Sequence, residues 1–207
     1  IFVVPPARLA GTPVLDHPRL ARVVIGGVAG AAKVPAVGIR PAYPRAMEHF
    51  RARGRRRLGI VTTYSYYRQM GAVLRSARAH GLLTRRRWTH FFDVRSDITA
   101  RAVTELMMSL SAADRPDALY VMDDHLVSQA TAGVADAGRR APGEVDVVAQ
   151  CNFPYIQSAA VPVTYLGVNV PEVLTTALAM IDRQAAGRPV PPVTWLTQRF
   201  EHELPPG

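Results

Sequence analysis

"RPDALYVMDDHLVSQATAG", residues 115–133, decides how this chain is read. Ala118 to Met122 is an unbroken apolar run, and it stops at two adjacent carboxylates, Asp123 and Asp124. A stretch with helical spacing follows at once, aligning Leu126, Ala130 and Val134 and ending near Gly138. An apolar run of this length bounded by polar residues fits a strand covered on both faces. A carboxylate at the start of a helix accepts a backbone N–H and suits the positive helix end. One aspartate is enough for a cap, so the second is available for a ligand or a metal.

The same alternation runs through the chain. Strands are predicted at 1–4, 22–25, 36–39, 58–62, 118–122, 145–149 and 163–168. Helical stretches between them align Met70, Val73, Leu74 and Ala77 before Gly81. A second aligns Ile98, Ala102, Val103, Leu106 and Leu110 behind a Ser/Asp cap, and a third aligns Val173, Leu174, Ala177, Met180 and Ile181 before Gly187. Repeated βα units with apolar strands predict an α/β protein with parallel sheets flanked by helices. The arginine-rich "RARGRRR" (51–57) and the proline-rich "RPVPP" (188–192) are candidate crossings between two lobes.

In open α/β sheets ligands collect at the carboxyl ends of the strands, where Asp123 and Asp124 are expected. A phosphoacceptor site would need a lysine on a late strand, but the only lysine, Lys33, lies early. A metal-assisted enzyme would need a third acidic group, for which Asp93 in "HFFDVRSD" is the candidate. A binding cleft would need a basic or aromatic partner at a second strand end. The strand "LGIVTT" supplies one, because it runs into "YSYYRQMG" and places Tyr64, Tyr66, Tyr67 and Arg68 at a helix start. The helix dipole does not favour arginine there, and tyrosines offer the flat faces and hydroxyls that small-molecule pockets use. No histidine sits beside a serine or cysteine in a nucleophile elbow, so no catalytic residue is assigned. His125 follows the aspartates and reads as a surface residue at a helix start.

Composition bounds the rest. The 207 residues carry a formal charge of +9, almost all from arginine. The clusters at 51–57 and at 85–87 read either as solvated turns or as phosphate-binding patches, and no aromatic residues interleave with them as a stacking platform. A single cysteine, Cys151, excludes an internal disulfide, and there is no Cys/His metal box. No apolar stretch is long enough to span a bilayer. The N-terminal "IFVVPPARLAG" lacks the basic lead-in of a secretion leader. A cytoplasmic protein without metal or cofactor is the expectation.

Three segments resemble the effector-binding domain of the lactose-repressor (LacI/GalR) family of transcription regulators, whose fold is similar to type I periplasmic binding proteins. They are "HFRARGRRRLGIVTTYSYYRQMGAVLRSARAHGL", "RPDALYVMDDHLVSQATAGVADAGRRAPGEVDVVAQCNFP" and "VPVTYLGVNVPEV". In order and spacing they cover residues 34–200. The resemblance implies that Asp124 matches the aspartate contacting the effector, while Asp123 stands where asparagine is usual. Arg68, ahead of "QMG", matches the arginine clasping the effector's polar groups. Tyr64 falls in the ligand-facing loop beside Tyr66, and Val94 falls where several members stack an aromatic ring. The chain departs from the family at Arg40, which replaces an aspartate after "VPAVGI", and at "AQCN" (149–152), where Asn152 replaces a carboxylate. These changes point to a more acidic or differently shaped effector than a neutral sugar.

What the resemblance implies is a two-lobed type I periplasmic-binding-protein-like fold with an incomplete N-terminal lobe. That lobe is expected to comprise residues 1–57 and 164–187, and the C-terminal lobe residues 58–163 and 188–204. The implied function is an effector-binding, homodimerising domain of a DNA-binding transcription regulator, with residues 126–137 as a candidate dimer face. DNA would be reached through a helix-turn-helix that is not in this chain and would precede Ile1. A transport system's solute-binding protein shares the fold and is the competing reading. Residues upstream of Ile1 would separate the two.

Overall fold

The apolar runs form strands and the stretches with helical spacing pack over them. The computed structural model describes residues 2–3, 13, 17, 19–26, 34–93 and 97–204. They form two units, through which the chain passes at 41/42, 167/168 and 199/200.

The first unit takes residues 1–41 and 168–199. Its sheet comprises β1 (Phe2–Val3), β2 (Val23–Ile25), β3 (Ala36–Ile39) and β9 (Val193–Leu196), in that order and parallel throughout. Helix α5 (Val170–Ala185) packs Val173, Ala177 and Met180 against Val23 and Val37. Asn169 caps it by accepting from the Glu172 N–H at 3.1 Å. The expected inward residue Leu174 is instead 44% exposed.

The second unit takes residues 42–167 and 200–207. Its sheet comprises β4 (Arg57–Thr63), β5 (Leu83–Phe92), β6 (Ala118–Val121), β7 (Asp146–Phe153), β8 (Thr164–Asn169) and β10 (Arg199–Phe200), with the unit boundaries at 167/168 and 199/200 falling inside β8 and β10. They lie in the order β10-β8-β7-β6-β4-β5, and the pairs β4–β5, β4–β6 and β6–β7 are parallel. Alternate residues of each run serve opposite faces. Leu58, Ile60, Ala118, Tyr120 and Val148 meet α1 (Tyr43–Ala52) and α2 (Met70–Ala79). Val61, Leu119, Val121, Val147 and Ala149 meet α3 (Asp97–Met108) and α4 (Val127–Asp136). Burial on both faces is why these strands read as continuous apolar runs.

Four expectations need correction. Helix α1 belongs to the second unit rather than the first, because Ala46, Met47 and Phe50 bury against Leu58, Ile60 and Phe200. Residues 188–199 belong to the first unit, because β9 pairs with β3. On α3 the inward face is Ala100, Thr104, Met107 and Met108, while Ile98 and Leu106 are each 70% exposed. The cause is close helix pairing at Gly133 of α4, where a Cβ would stand 2.3 Å from the Arg101 carbonyl oxygen. That approach turns positions 101, 104 and 105 toward α4 and rotates Ile98 and Leu106 away.

The fourth concerns β5, an element not expected at all. It is the sheet edge, and its outward positions carry Arg85, Arg86 and Arg87. Charge on an edge strand blocks pairing with other chains and hides the apolar alternation. Between the pairs Leu58/Thr84 and Ile60/Thr89, β4 advances two residues (58 to 60) and β5 five (84 to 89). This bulge buries Trp88, whose Nε1 donates to the Asp114 carbonyl at 3.1 Å.

Candidate functional site

Strands β4, β6 and β7 end at the same edge of the second unit's sheet, and their terminal residues build one polar cluster. Asp123 follows β6 in an extended conformation (φ −136°, ψ 126°). It caps the 3₁₀ turn Asp124–Leu126 that leads into α4, accepting the His125 N–H at 3.2 Å. Its other oxygen accepts the hydroxyl of Thr63, the last residue of β4, at 2.7 Å. The two adjacent carboxylates therefore have different work. Asp123 ties two strand ends together and starts a helix. Asp124 reaches toward β7, where it accepts from Asn152 Nδ2 at 2.7 Å.

His125 Nδ1 lies 2.9 Å from Asp123 and 3.1 Å from Asp124. The hydrogen bond to Asp123, with the two negative charges, raises the imidazole above its ordinary value despite some desolvation. Tyr66 lies in the 3₁₀ turn Tyr64–Gln69 after β4. Burial, reinforced by the charges of Asp123 and Asp124, pushes its phenol up to about 12. The hydroxyl stays protonated and can donate a hydrogen bond. Cys151, on β7, is also pushed up to about 12, by burial first and then by Asp124 and Glu201. A thiol so far from ionising is no nucleophile at neutral pH.

The cluster places potential metal-ligand atoms of Asp123, Asp124 and His125 within 4.8 Å of one another. Both carboxylates already have protein partners and keep spare acceptor positions. Asp123 serves Thr63 and His125, and Asp124 serves Asn152 and His125. The arrangement suits a ligand with hydroxyl or N–H donors, because a carboxylate, an amide and a phenol offer acceptors and donors side by side.

The other predicted residues make no direct contact with this cluster among the described residues. Arg68 is exposed on the Tyr64–Gln69 turn and makes no hydrogen bond or ion pair among the described residues. It lines a cavity of about 800 Å³ with Tyr67, Leu74, Thr84, Arg86 and Phe91, which neither aspartate lines. Tyr64 is 64% exposed and stacks on Phe91 at 5.8 Å between centroids, with Tyr67 at 5.5 Å from the same ring. Arg40 belongs to the first unit, where its guanidinium lies 5.4 Å from the Trp195 ring centroid and its carbonyl accepts from Gln198 at 2.9 Å. Val94 lies outside the described residues. Asp93 is exposed and is absent from the carboxylate cluster.

Two partners were missed in the sequence. Thr63 carries a signal only in retrospect, as the polar end of "GIVTT". Phe91 was hidden by the arginines preceding it on β5. Among the described residues no helix is long and apolar enough to cross a membrane.

The sequence profile of the periplasmic-binding-protein-like domain matches residues 47–199. No curated protein sequence matches the chain. Similar solved structures include a LacI-family regulatory protein from Chloroflexus aggregans, at 17% identity and TM-score 0.77, covering 90% of this chain and 69% of that one. A LacI-family transcriptional regulator from Bifidobacterium animalis subsp. lactis is 16% identical at TM-score 0.71, covering 92% and 71%. Another from Lactobacillus casei, solved with bound sucrose, is 17% identical at TM-score 0.67, covering 91% and 80%. From the profile match, and with a fold found in LacI-family transcriptional regulators, this chain belongs to the family of periplasmic-binding-protein-like domains.

Proposed function

We propose that this chain is the effector-binding domain of a bacterial DNA-binding transcription regulator and that it senses a small polar metabolite. The observation that carries the reading is the cluster of Asp124, Asn152 and Tyr66 at the carboxyl ends of the parallel strands. Ligands bind at that edge in open α/β sheets. Asp124 accepts from ligand hydroxyl or N–H groups, Asn152 adds a donor and an acceptor, and Tyr66 adds a hydroxyl. Arg68 follows the neighbouring strand end, and with no partner among the described residues its guanidinium is available for charge-assisted bonds. Tyr64 is a further candidate contact. Domains of this fold bind ligands that include sucrose and glucose in the Lactobacillus casei regulator, so sugars are the first probes. No catalytic step is part of this reading.

Ligand affinity that differs between two conformations of the domain would shift their populations. The shift would be transmitted through a homodimer to the DNA-binding part of such a regulator, in the cytoplasm. The dimer face proposed here is the exposed Ile98, Ala102 and Leu106 stripe of α3 rather than α4, whose Val127, Ala130 and Val134 are used up in the core.

The test is calorimetric titration with glucose, sucrose and a panel of related sugars and sugar acids. Asp124→Ala and Arg68→Ala are each expected to weaken the best ligand by about 1.5–3 kcal/mol, the range for hydrogen bonds to charged groups. Unchanged affinity in both variants would overturn the assignment of this edge as the sensor site.

A further inference from the structure

The cluster "RARGRRR" (51–57) takes no part in the site above. It lies at the opposite end of β4, about 20 Å away for a strand running from Arg57 to Thr63. There a cavity of about 360 Å³ is lined by Arg51, Gly54, Arg55, Arg56, His80 and Gly81. Every charged side chain on its wall is an arginine.

The charges around it do not balance. The five arginines at positions 51, 53, 55, 56 and 57 meet two carboxylates, Asp117 and Asp146. Asp146 is claimed by an ion pair with Arg53, by His49 at 3.6 Å and by Arg55 Nε at 3.9 Å. Asp117 pairs with Arg57 at 3.4 Å and accepts the Arg56 and Arg57 N–H groups. Arg55 also donates to the Pro142 and Gly143 carbonyls, which fixes its position. Arg51 and Arg56 are left: neither guanidinium makes a hydrogen bond or ion pair among the described residues. His80 Nδ1 is bound to the Ser76 carbonyl at 2.8 Å, which leaves Nε2 uncommitted.

The bland explanation is that these arginines answer the C-terminal ends of α1 and α2, which close at Gly54 and Gly81. Its magnitude falls short. Each helix end carries at most about half a negative charge, so two ends offset about one of three guanidiniums. The Gly54 and Gly81 N–H groups are bonded to the Arg51 and Arg78 carbonyls, so the arginines are the anion-binding donors of this wall. A concave wall with surplus guanidiniums and no facing acid is matched by a ligand carrying several negative oxygens, which arginine binds in a bidentate fork. The volume is at the lower end of small-molecule sites, the size of a diphosphate or a sugar bisphosphate rather than a nucleic-acid groove.

We infer that the cavity between the ends of α1 and α2 is a second ligand site, specific for a small multiply phosphorylated anion held by Arg51 and Arg56 against the fixed Arg55. It does not depend on the sensor reading of Asp124.

The experiment is calorimetric titration of the chain with sodium pyrophosphate at physiological salt, with inorganic phosphate and a short mixed-sequence DNA duplex as parallel titrants. Saturable one-to-one binding of pyrophosphate, tighter than phosphate, is expected. It should weaken roughly tenfold in each of Arg51→Gln and Arg56→Gln, with thermal melts unchanged because both side chains are exposed. Arg101→Gln, an exposed arginine of α3 on the opposite face of the sheet, should bind as the parent chain does. Absence of saturable pyrophosphate binding, or an equal loss in Arg101→Gln, overturns the site. Duplex binding that needs Arg51 and Arg56 without pyrophosphate binding also overturns it, in favour of a nucleic-acid surface.

Discussion

Replacing Asp123 by alanine tests whether the first of the two aspartates is structural. Three interactions end with it: the Thr63 hydroxyl at 2.7 Å, the His125 N–H at 3.2 Å and the His125 ring at 2.9 Å. Thr63 is 1% exposed, so its hydroxyl would lose its acceptor where water cannot replace it, at a cost of about 1–3 kcal/mol. Loss of the helix cap adds about 1 kcal/mol. The His125 contact is largely solvated and adds little. The total is about 3 kcal/mol, and a protein of this size should melt about 6–12 °C lower. Urea denaturation followed by far-UV circular dichroism measures it. Thr63→Val added to Asp123→Ala should recover part of the loss, because the orphaned hydroxyl is then gone. A loss below about 1 kcal/mol, or no recovery in the double variant, would refute the assignment of Asp123 as the tie between β4 and α4.

Two other outcomes follow from the same geometry. His125 has its folded pKa raised above 6.5 by its hydrogen bond to Asp123. Its stabilising contribution is therefore complete below about pH 6.5 and lost as pH rises through the elevated folded value. The stability difference between the parent chain and His125→Gln should shrink as pH rises above about 6.5, and a flat difference would contradict the contact. At the proposed dimer face, Leu106→Glu places a charge on an exposed apolar stripe and should convert a dimer to a monomer in sedimentation velocity. An unchanged dimer would move the interface elsewhere.

Much of the fold was legible before any coordinates. The runs at 36–39, 58–62 and 118–122 became strands because burial on both faces demands continuous apolar residues. The helix ends at Gly81, Gly138 and Gly187 were equally plain, since each glycine takes a positive φ. The aspartate pair marked the strand-to-helix junction because a cap has a chemical signature in sequence.

Tertiary structure alone decided the rest. Strand β5 was masked because an edge strand carries charge on its open side, and its bulge sends Trp88 inward against its arginine neighbours. Which face of α3 turns inward depended on the close approach at Gly133, a residue on another helix. Local periodicity fixes a helix but not its rotation when apolar residues occupy more than one face. The division of labour between Asp123 and Asp124 came from Thr63 and Asn152, which lie 60 residues before Asp123 and 28 after Asp124. Side-chain chemistry and short-range spacing are written along the chain. Which distant groups meet is set by packing of the whole sheet.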